Sequence, residues 1–334
     1  MLDAGGAGAM VVIPARSGMA NLGTKLGRQV MVKDRGGAMA ALWSRAYPLL
    51  TVTALFWAGN SIVARAARDL VPPAALSFWR WAFALALLLP LAWSHLKRDR
   101  DVVRAHWRVM AVLGALGIGA FNTLLYTGLQ TTTALNSMLI QSAQPALILM
   151  LGGLVMRDRT NARQVAGVLV SLVGVLTVIG RGDPALLLAL RLNAGDAIIT
   201  LAVLLWALCS VLLRRRPPVH PLSFLAATIM VGLVVIAPFY IAEIASGRLI
   251  VRAPGSALAI VYVSIFPSFL AYLFFNRGVE LIGSAATAQY MNVMPLMGAG
   301  LAMLFLGETL HLFHVAGLGL VVAGIWVAGR PATE

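Results

Sequence analysis

Charge and sulfur are scarce in this chain. Of 334 residues only 11% are Asp, Glu, Lys or Arg, 12 are acidic, five are histidine and one, Cys209, is cysteine. A single cysteine cannot form an internal disulfide, and no CxxC or Cys/His zinc spacing is present, so neither a redox staple nor a zinc site is implied. A soluble domain carries about 25% charged residues, and this chain cannot cover a globule with polar surface. What replaces the charge is apolar: 60% of the residues are hydrophobic and the mean hydropathy is +0.87. At roughly 20 residues per crossing that content supplies on the order of ten membrane-spanning helices, and an ordinary cytoplasmic enzyme is excluded.

Apolar runs bounded by charge, proline or glycine predict spans at about 48–66, 74–94, 109–128, 133–155, 163–180, 194–213, 223–242, 255–275, 284–306 and 311–329. Residues 1–46 read as a basic, disordered tail, with Arg16, Lys25, Arg28, Lys33, Arg35 and Arg45 against Asp3 and Asp34 and no apolar run typical of a secretory signal.

The net charge of +14 raises the possibility of a nucleic-acid partner. Its placement argues otherwise. With both termini on one side, that side's segments hold 19 Lys and Arg and the other side's hold 6, Arg80 alone lying well inside a span. The positive-inside rule then puts both termini in the cytoplasm. The basic loops suit anionic lipid headgroups, at about 1 kcal/mol per charge, and no basic stripe with interleaved aromatics calls for nucleic acid.

A recurrence near 150 residues divides the chain. Trp57-Ala58, Ser61 and Arg65 fall on Trp206-Ala207, Ser210 and Arg214; Leu76-Ser77-Phe78 falls on Leu222-Ser223-Phe224 and Pro90 on Pro238. Gly128, Pro145, Asp158, Gly167 and Gly174 fall on Gly278, Pro295, Glu308, Gly317 and Gly324. The units are 47–181 and 194–330, each with five spans. An odd number inverts the second unit relative to the first, the arrangement that lets two units rock about a central site.

The motifs Phe56-Trp57-Ala58-Gly59-Asn60, Phe78-Trp79-Arg80, Gln141-Ser142-Ala143-Gln144-Pro145, Tyr290-Met291-Asn292-Val293-Met294-Pro295 and Leu306-Gly307-Glu308 resemble those of EamA-type carriers of the drug/metabolite transporter superfamily. The first repeat departs from the pattern, with Met156-Arg157-Asp158 where Leu-Gly-Glu is usual. The resemblance implies an all-α integral membrane fold of ten helices in two inverted EamA repeats. It also implies export of small metabolites, often amino acids, across a bacterial inner membrane, through a cavity lined by the third, fourth, eighth and ninth spans.

Polar side chains inside spans are costly and mark candidate sites, helix packing being their other use. Asn122, Tyr126 and Gln130 recur at steps of four on the third span, and Ser264, Ser268, Tyr272 and Asn276 do so on the eighth, so each set shares a helical face. The fourth span adds Asn136, Gln141 and Gln144, and the ninth adds Gln289, Tyr290 and Asn292. Trp57 and Asn60, with Trp206, are rim or gate candidates, core packing being the alternative for each tryptophan. Arg80 is expected either to hold a substrate carboxylate or an outer gate with Asp69, or to anchor at the interface between Trp79 and Trp81. Gly167, Gly174, Gly317 and Gly324 read as close-packing positions.

Transport of drugs, sugars or nucleotide-linked metabolites is an alternative to amino-acid export. A membrane-embedded metal enzyme is another, resting on Glu308, His311 and His314 at steps of three. No cofactor, metal or catalytic residue is expected. The carboxylates Asp158, Asp183, Asp196, Glu243, Glu280 and Glu308 fall near span ends, so the pattern gives no support to proton coupling.

Overall fold

The computed structural model describes residues 43–157, 161–188, 193–283, 287 and 290–329. The expected tail lies outside them, apart from its last residues. The described residues fold into α1 (Ala46–Ala66), α2 (Pro73–Ala105), α3 (Trp107–Gly128), α4 (Ala134–Gln141), α5 (Gln144–Met156), α6 (Ala162–Ile179), the short α7 (Pro184–Leu188), α8 (Ala194–Leu212), α9 (Pro221–Ala245), α10 (Pro254–Ile282), α11 (Met294–Leu306) and α12 (Leu312–Gly329). Among the described residues seven helices are long and apolar enough to cross a membrane, and α4 and α5, bent by 41° at their break, pass the same test as a pair. The apolar helices α11 and α12 are shorter. The exterior suits lipid, with Leu154, Val234, Leu304, Phe305 and Leu312 exposed.

Local sequence explains the breaks. Prolines open α2, α9 and α10 at their first position, where the missing N–H has no helical partner to lose. The expected fourth span is two helices, because Pro145 in the first turn of α5 donates no hydrogen bond back across Ser142 and Ala143. The second span is longer than its apolar run: α2 stays helical through Lys97–Arg104 to Ala105, its charged turns standing beyond the apolar segment.

Hydrogen bonds between helix ends fix the antiparallel order. At one end Arg65 Nη1 donates to the carbonyls of Leu129 (2.7 Å) and Gln130 (3.0 Å), and Val251 N donates to Leu70 O (2.9 Å). At the other, richer in arginine and called here the basic end, Arg277 Nε donates to Trp43 O (3.3 Å) and Thr51 Oγ1 pairs with Tyr290 OH (2.6 Å).

The repeat is visible in backbone detail. Wide π turns interrupt α3 at Ala115–Ala120 and α10 at Phe266–Leu270, 150 residues apart within a residue. α5 and α11, also 150 apart, each end in a left-handed residue, Arg157 (φ 56°) and Gly307 (φ 64°). The first repeat therefore keeps the left-handed turn of Leu-Gly-Glu with an arginine in the glycine's place. α6 and α12 cross through reciprocal glycines, where a Cβ on Gly167 would lie 2.4 Å from Gly324 O and one on Gly174 would lie 2.6 Å from Gly317 O. Between these pairs Ser171 Oγ donates to the carbonyl of Val321, its own counterpart at an offset of 150 (3.2 Å).

Carboxylates join helices across the repeats. Glu243, near the end of α9, accepts from Ala74 N (3.0 Å) and Ala75 N (2.9 Å) in the first turn of α2. In return Asp99 of α2 accepts from the N-cap residue of α9, His220 N (2.8 Å). Glu308 accepts from Ala134 N and Leu135 N in the first turn of α4, both at 2.8 Å. Each satisfies N–H groups that a helix start leaves without partners, with a charge the helix dipole favours.

Candidate functional site

Polar residues flagged on three spans converge on Arg80. It is 4% exposed and seven residues inside α2, about 10 Å from the helix start at 1.5 Å per residue. Its Nη1 donates to Asn60 Oδ1 (3.0 Å), Asn122 Oδ1 (2.7 Å) and Tyr126 OH (2.7 Å), and its Nε to Ser268 Oγ (2.5 Å). Tyr126 OH in turn donates to Asn60 Oδ1 (2.7 Å). The guanidinium carbon lies 4.8 Å from the centre of the Trp81 ring and 5.9 Å from that of Tyr126.

The backbone places these groups. Asn122 follows the π turn of α3 and Ser268 lies inside that of α10; such turns shift the register of one helical face, a feature that recurs at functional sites. Trp57 Nε1 donates to Pro267 O within the second π turn (3.0 Å) and packs edge-on to Tyr272. Two repeats thus contribute to one cluster, α10 supplying Ser268 and α1, α2 and α3 the rest.

Every acceptor on this buried cation is neutral, and among the described residues Arg80 has no carboxylate partner. The expected pairing with Asp69 does not form: Asp69 is 83% exposed and pairs with Arg68 (3.2 Å), because it lies in the turn between α1 and α2 rather than inside the bundle.

Two cavities lie between the helices. One of about 50 Å³ is lined by Gly117, Trp206, Cys209, Tyr272 and Asn276 and reaches Arg216 and Pro221 at the basic end. The other, of about 140 Å³, lies between Gln141, Gln144 and Pro145 of the first repeat and Met291, Met294 and Pro295 of the second. It is roomy enough for several waters. Trp206 lines both, whereas Arg80 lines neither, sitting beside the first behind Tyr272 and Gly117.

Other flagged residues lie elsewhere. Asn136 is bonded to Asp196 and His314 at the end away from the basic loops. Gln141 Nε2 donates back to Ser137 O (3.2 Å). Tyr290 pairs with Thr51 and packs against Tyr47 at the basic end. Gln289 and the side chain of Asn292 lie outside the described residues. The residues weighed as metal ligands are used separately, Glu308 on α4 and His314 on Asn136.

The burial of Asp196, which is 0% exposed, and the capping roles of Glu243 and Glu308 do not follow from their places near span ends. Pro73 and Pro221, which mark the starts of α2 and α9, were the available signal that two helix ends need acceptors. Of the π turns only Pro267 gives a sign in the sequence.

The fold and this cluster define a multi-pass, all-helical membrane protein of two repeats that enclose a polar site between them. The chain belongs to the EamA-like transporter family, whose model matches residues 44–180 and 193–330, and it is a transporter of that family. It is similar to the uncharacterized transporter YyaM of Bacillus subtilis, 30% identical over 77% of this chain and 84% of that one. It is also similar to an uncharacterized transporter of Archaeoglobus fulgidus, 27% identical over 85% and 97%. A Salmonella typhimurium protein named a probable amino-acid metabolite efflux pump is 23% identical over 57% of this chain and 65% of its own. A solved crystal structure, 19% identical, superposes with a TM-score of 0.54 over 85% of this chain and 96% of that one, a likeness of fold.

Proposed function

We propose that this transporter is an alternating-access carrier exporting small carboxylate-bearing metabolites, amino acids foremost, across a bacterial inner membrane. In this reading ten spans form two inverted units, both termini are cytoplasmic, and the basic end faces the cytoplasm and its anionic lipids. The observation that carries it is Arg80, a buried cation held by neutral acceptors from both repeats. Neutral dipoles offset part of the desolvation of a guanidinium and leave its charge uncompensated. A carboxylate arriving at about 4 Å gains on the order of 4 kcal/mol at an effective dielectric constant near 20. Tyr126, Trp57, Tyr272 and Trp206 give the rest of an amphipathic solute an aromatic surface.

The substrate pathway in this reading runs from the basic-end cavity past Trp206, Tyr272 and Asn276 to Asn60, Asn122, Tyr126, Ser268 and Arg80, with Gln141 and Gln144 beside the proline breaks. The name of the Salmonella relative supports an amino-acid substrate. Counterflow in proteoliposomes against a panel of amino acids, sugars and lipophilic cations tests it. Saturable exchange of one or more amino acids is expected; exchange confined to sugars or cations, or none by folded protein, overturns it.

A further inference from the structure

Away from Arg80, at the end opposite the basic loops, a second buried polar chain crosses three helices. Asp196, in the first turn of α8, is 0% exposed. Its carboxylate does not cap its own helix, because Asn193 Oδ1 already accepts from Gly195 N (2.7 Å). Instead it accepts from the Thr132 hydroxyl just before α4 and from Asn136 Nδ2 of α4 (3.2 Å). Asn136 Oδ1 lies 3.0 Å from His314 Nε2 of α12, and His314 Nδ1 accepts from His311 N (3.0 Å). Thr132, Asn136 and His314 are 2%, 6% and 5% exposed.

The polarity of this chain is determined at both ends. A backbone N–H can only donate, so Nδ1 of His314 is the acceptor nitrogen and the ring's proton is on Nε2, donated to Asn136. That bond turns the amide so that its NH₂ faces Asp196, where an ionised carboxylate is the matching acceptor. A proton added to Oδ2, the oxygen that the Thr132 hydroxyl does not bond, would put its O–H against the Asn136 NH₂. Turning the amide to accept it would break the bond from His314. A proton added to Nδ1 would face the His311 N–H and break the start of α12.

No cation pairs with this carboxylate among the described residues. Of the charged groups around it, α12 brings His314 and His311, the turn after α6 brings the exposed Arg181, whose field reaches Asp196, α11 ends in Glu308, and α1 ends in Arg65. Glu308 is committed to the amides of Ala134 and Leu135, and Arg65 to the carbonyls of Leu129 and Gln130. α3 and α4 contribute only neutral side chains here. Asp196, His314 and Glu308 all belong to the second repeat and all hold the first turns of α4, an eight-residue rod that breaks from α5 beside the 140 Å³ cavity.

We propose that Asp196 and His314 form a proton-binding site that latches α4 and couples opening of this end of the carrier to proton uptake. One proton from water at this end adds to a carboxylate oxygen of Asp196, the Asn136 bond is lost, and α4 swings at its break; the reverse conformation returns the proton. This rests on the transporter reading above, which supplies the movement to be coupled.

Hydrogen exchange followed by mass spectrometry on the full chain in lipid nanodiscs, from about pH 8 to about pH 5 and normalised for intrinsic rates, tests it without a substrate. Amides of residues 133–141 should exchange on the order of tenfold faster at the acid end. Asp196→Asn should be open at all pH values. Thr132→Val, which keeps the carboxylate and removes one donor, should raise the midpoint by about one pH unit and serves if the first variant fails to fold. Protection of 133–141 that is unchanged by pH in the wild type, or a midpoint unmoved in Thr132→Val, overturns the proposal. Counterflow at equal pH reports separately on transport: its absence beside an intact pH response defeats the transporter reading and leaves the latch standing.

Discussion

The crossing of α6 and α12 gives the sharpest test of how the repeats are held together. In Gly167→Ala the new methyl would lie 2.4 Å from Gly324 O and 2.7 Å from Ala328 N, both backbone atoms of the other helix. Ordinary contact needs about 3.4 Å, so the helices must part by about 1 Å, and such overpacking costs about 1–3 kcal/mol. Gly319→Ala, on α12 itself, meets nothing within 4 Å and should gain up to about 1 kcal/mol of helix propensity. The two variants add the same methyl to the same pair of helices with opposite sign. At roughly 2–4 °C per kcal/mol, their melting temperatures, read by tryptophan fluorescence in one detergent, should differ by roughly 2–16 °C. Equal melting temperatures would refute the idea that these glycines are required by backbone approach.

Arg157 holds a left-handed conformation (φ 56°) that an L residue adopts at a cost, so Arg157→Gly should stabilise the chain by about 1 kcal/mol, measured by the same melts. Glu243→Ala strands the amides of Ala74 and Ala75 inside the bundle and should cost about 1–3 kcal/mol, with Glu243→Gln recovering part of the loss. His220 stacks on His95 at 3.6 Å and accepts from Leu222 N through Nδ1. Burial, then His95 and Arg98, pull its pKa from near 6.5 down to about 4 against the opposing pull of Asp99. The fold prefers the neutral ring, so its contribution is complete above about pH 6.5 and is lost as pH falls toward about 4. His220→Asn keeps an N-cap acceptor and should flatten that acid limb in melts taken across pH.

Much of this was legible in the sequence because it is periodic. Seven of the ten apolar runs are helices long and apolar enough to cross, the offset of 150 anticipated the paired ends of α5 and α11, and the glycines at steps of seven turned out to face one another across α6 and α12. The break in the fourth span was signalled by Pro145, but an apolar run alone reads as continuous. Arg80 stood out as a charge within a span, and Asn60, Asn122, Tyr126 and Ser268 were each flagged on their own helices. That one guanidinium gathers them was not legible, since helical periodicity gives the face of a residue and not the neighbour that face meets. The same limit misdirected Asp69 and Asp196. Both sit near span ends, yet one turn is open to water and the other is covered by α4 and α12. Asn136, grouped with the pathway by its span, is drawn instead to Asp196 and His314.

In the proposed function Arg80 receives the substrate's carboxylate. The direct measurement is counterflow of an amino acid, such as leucine, against its amide in proteoliposomes holding either the wild type or Arg80→Gln. The wild type should exchange the acid and not the amide, and Arg80→Gln should lose at least about tenfold of that exchange, the factor corresponding to about 1.4 kcal/mol, while still folding. Equal exchange of acid and amide by the wild type, or undiminished exchange by Arg80→Gln, would contradict this role of Arg80.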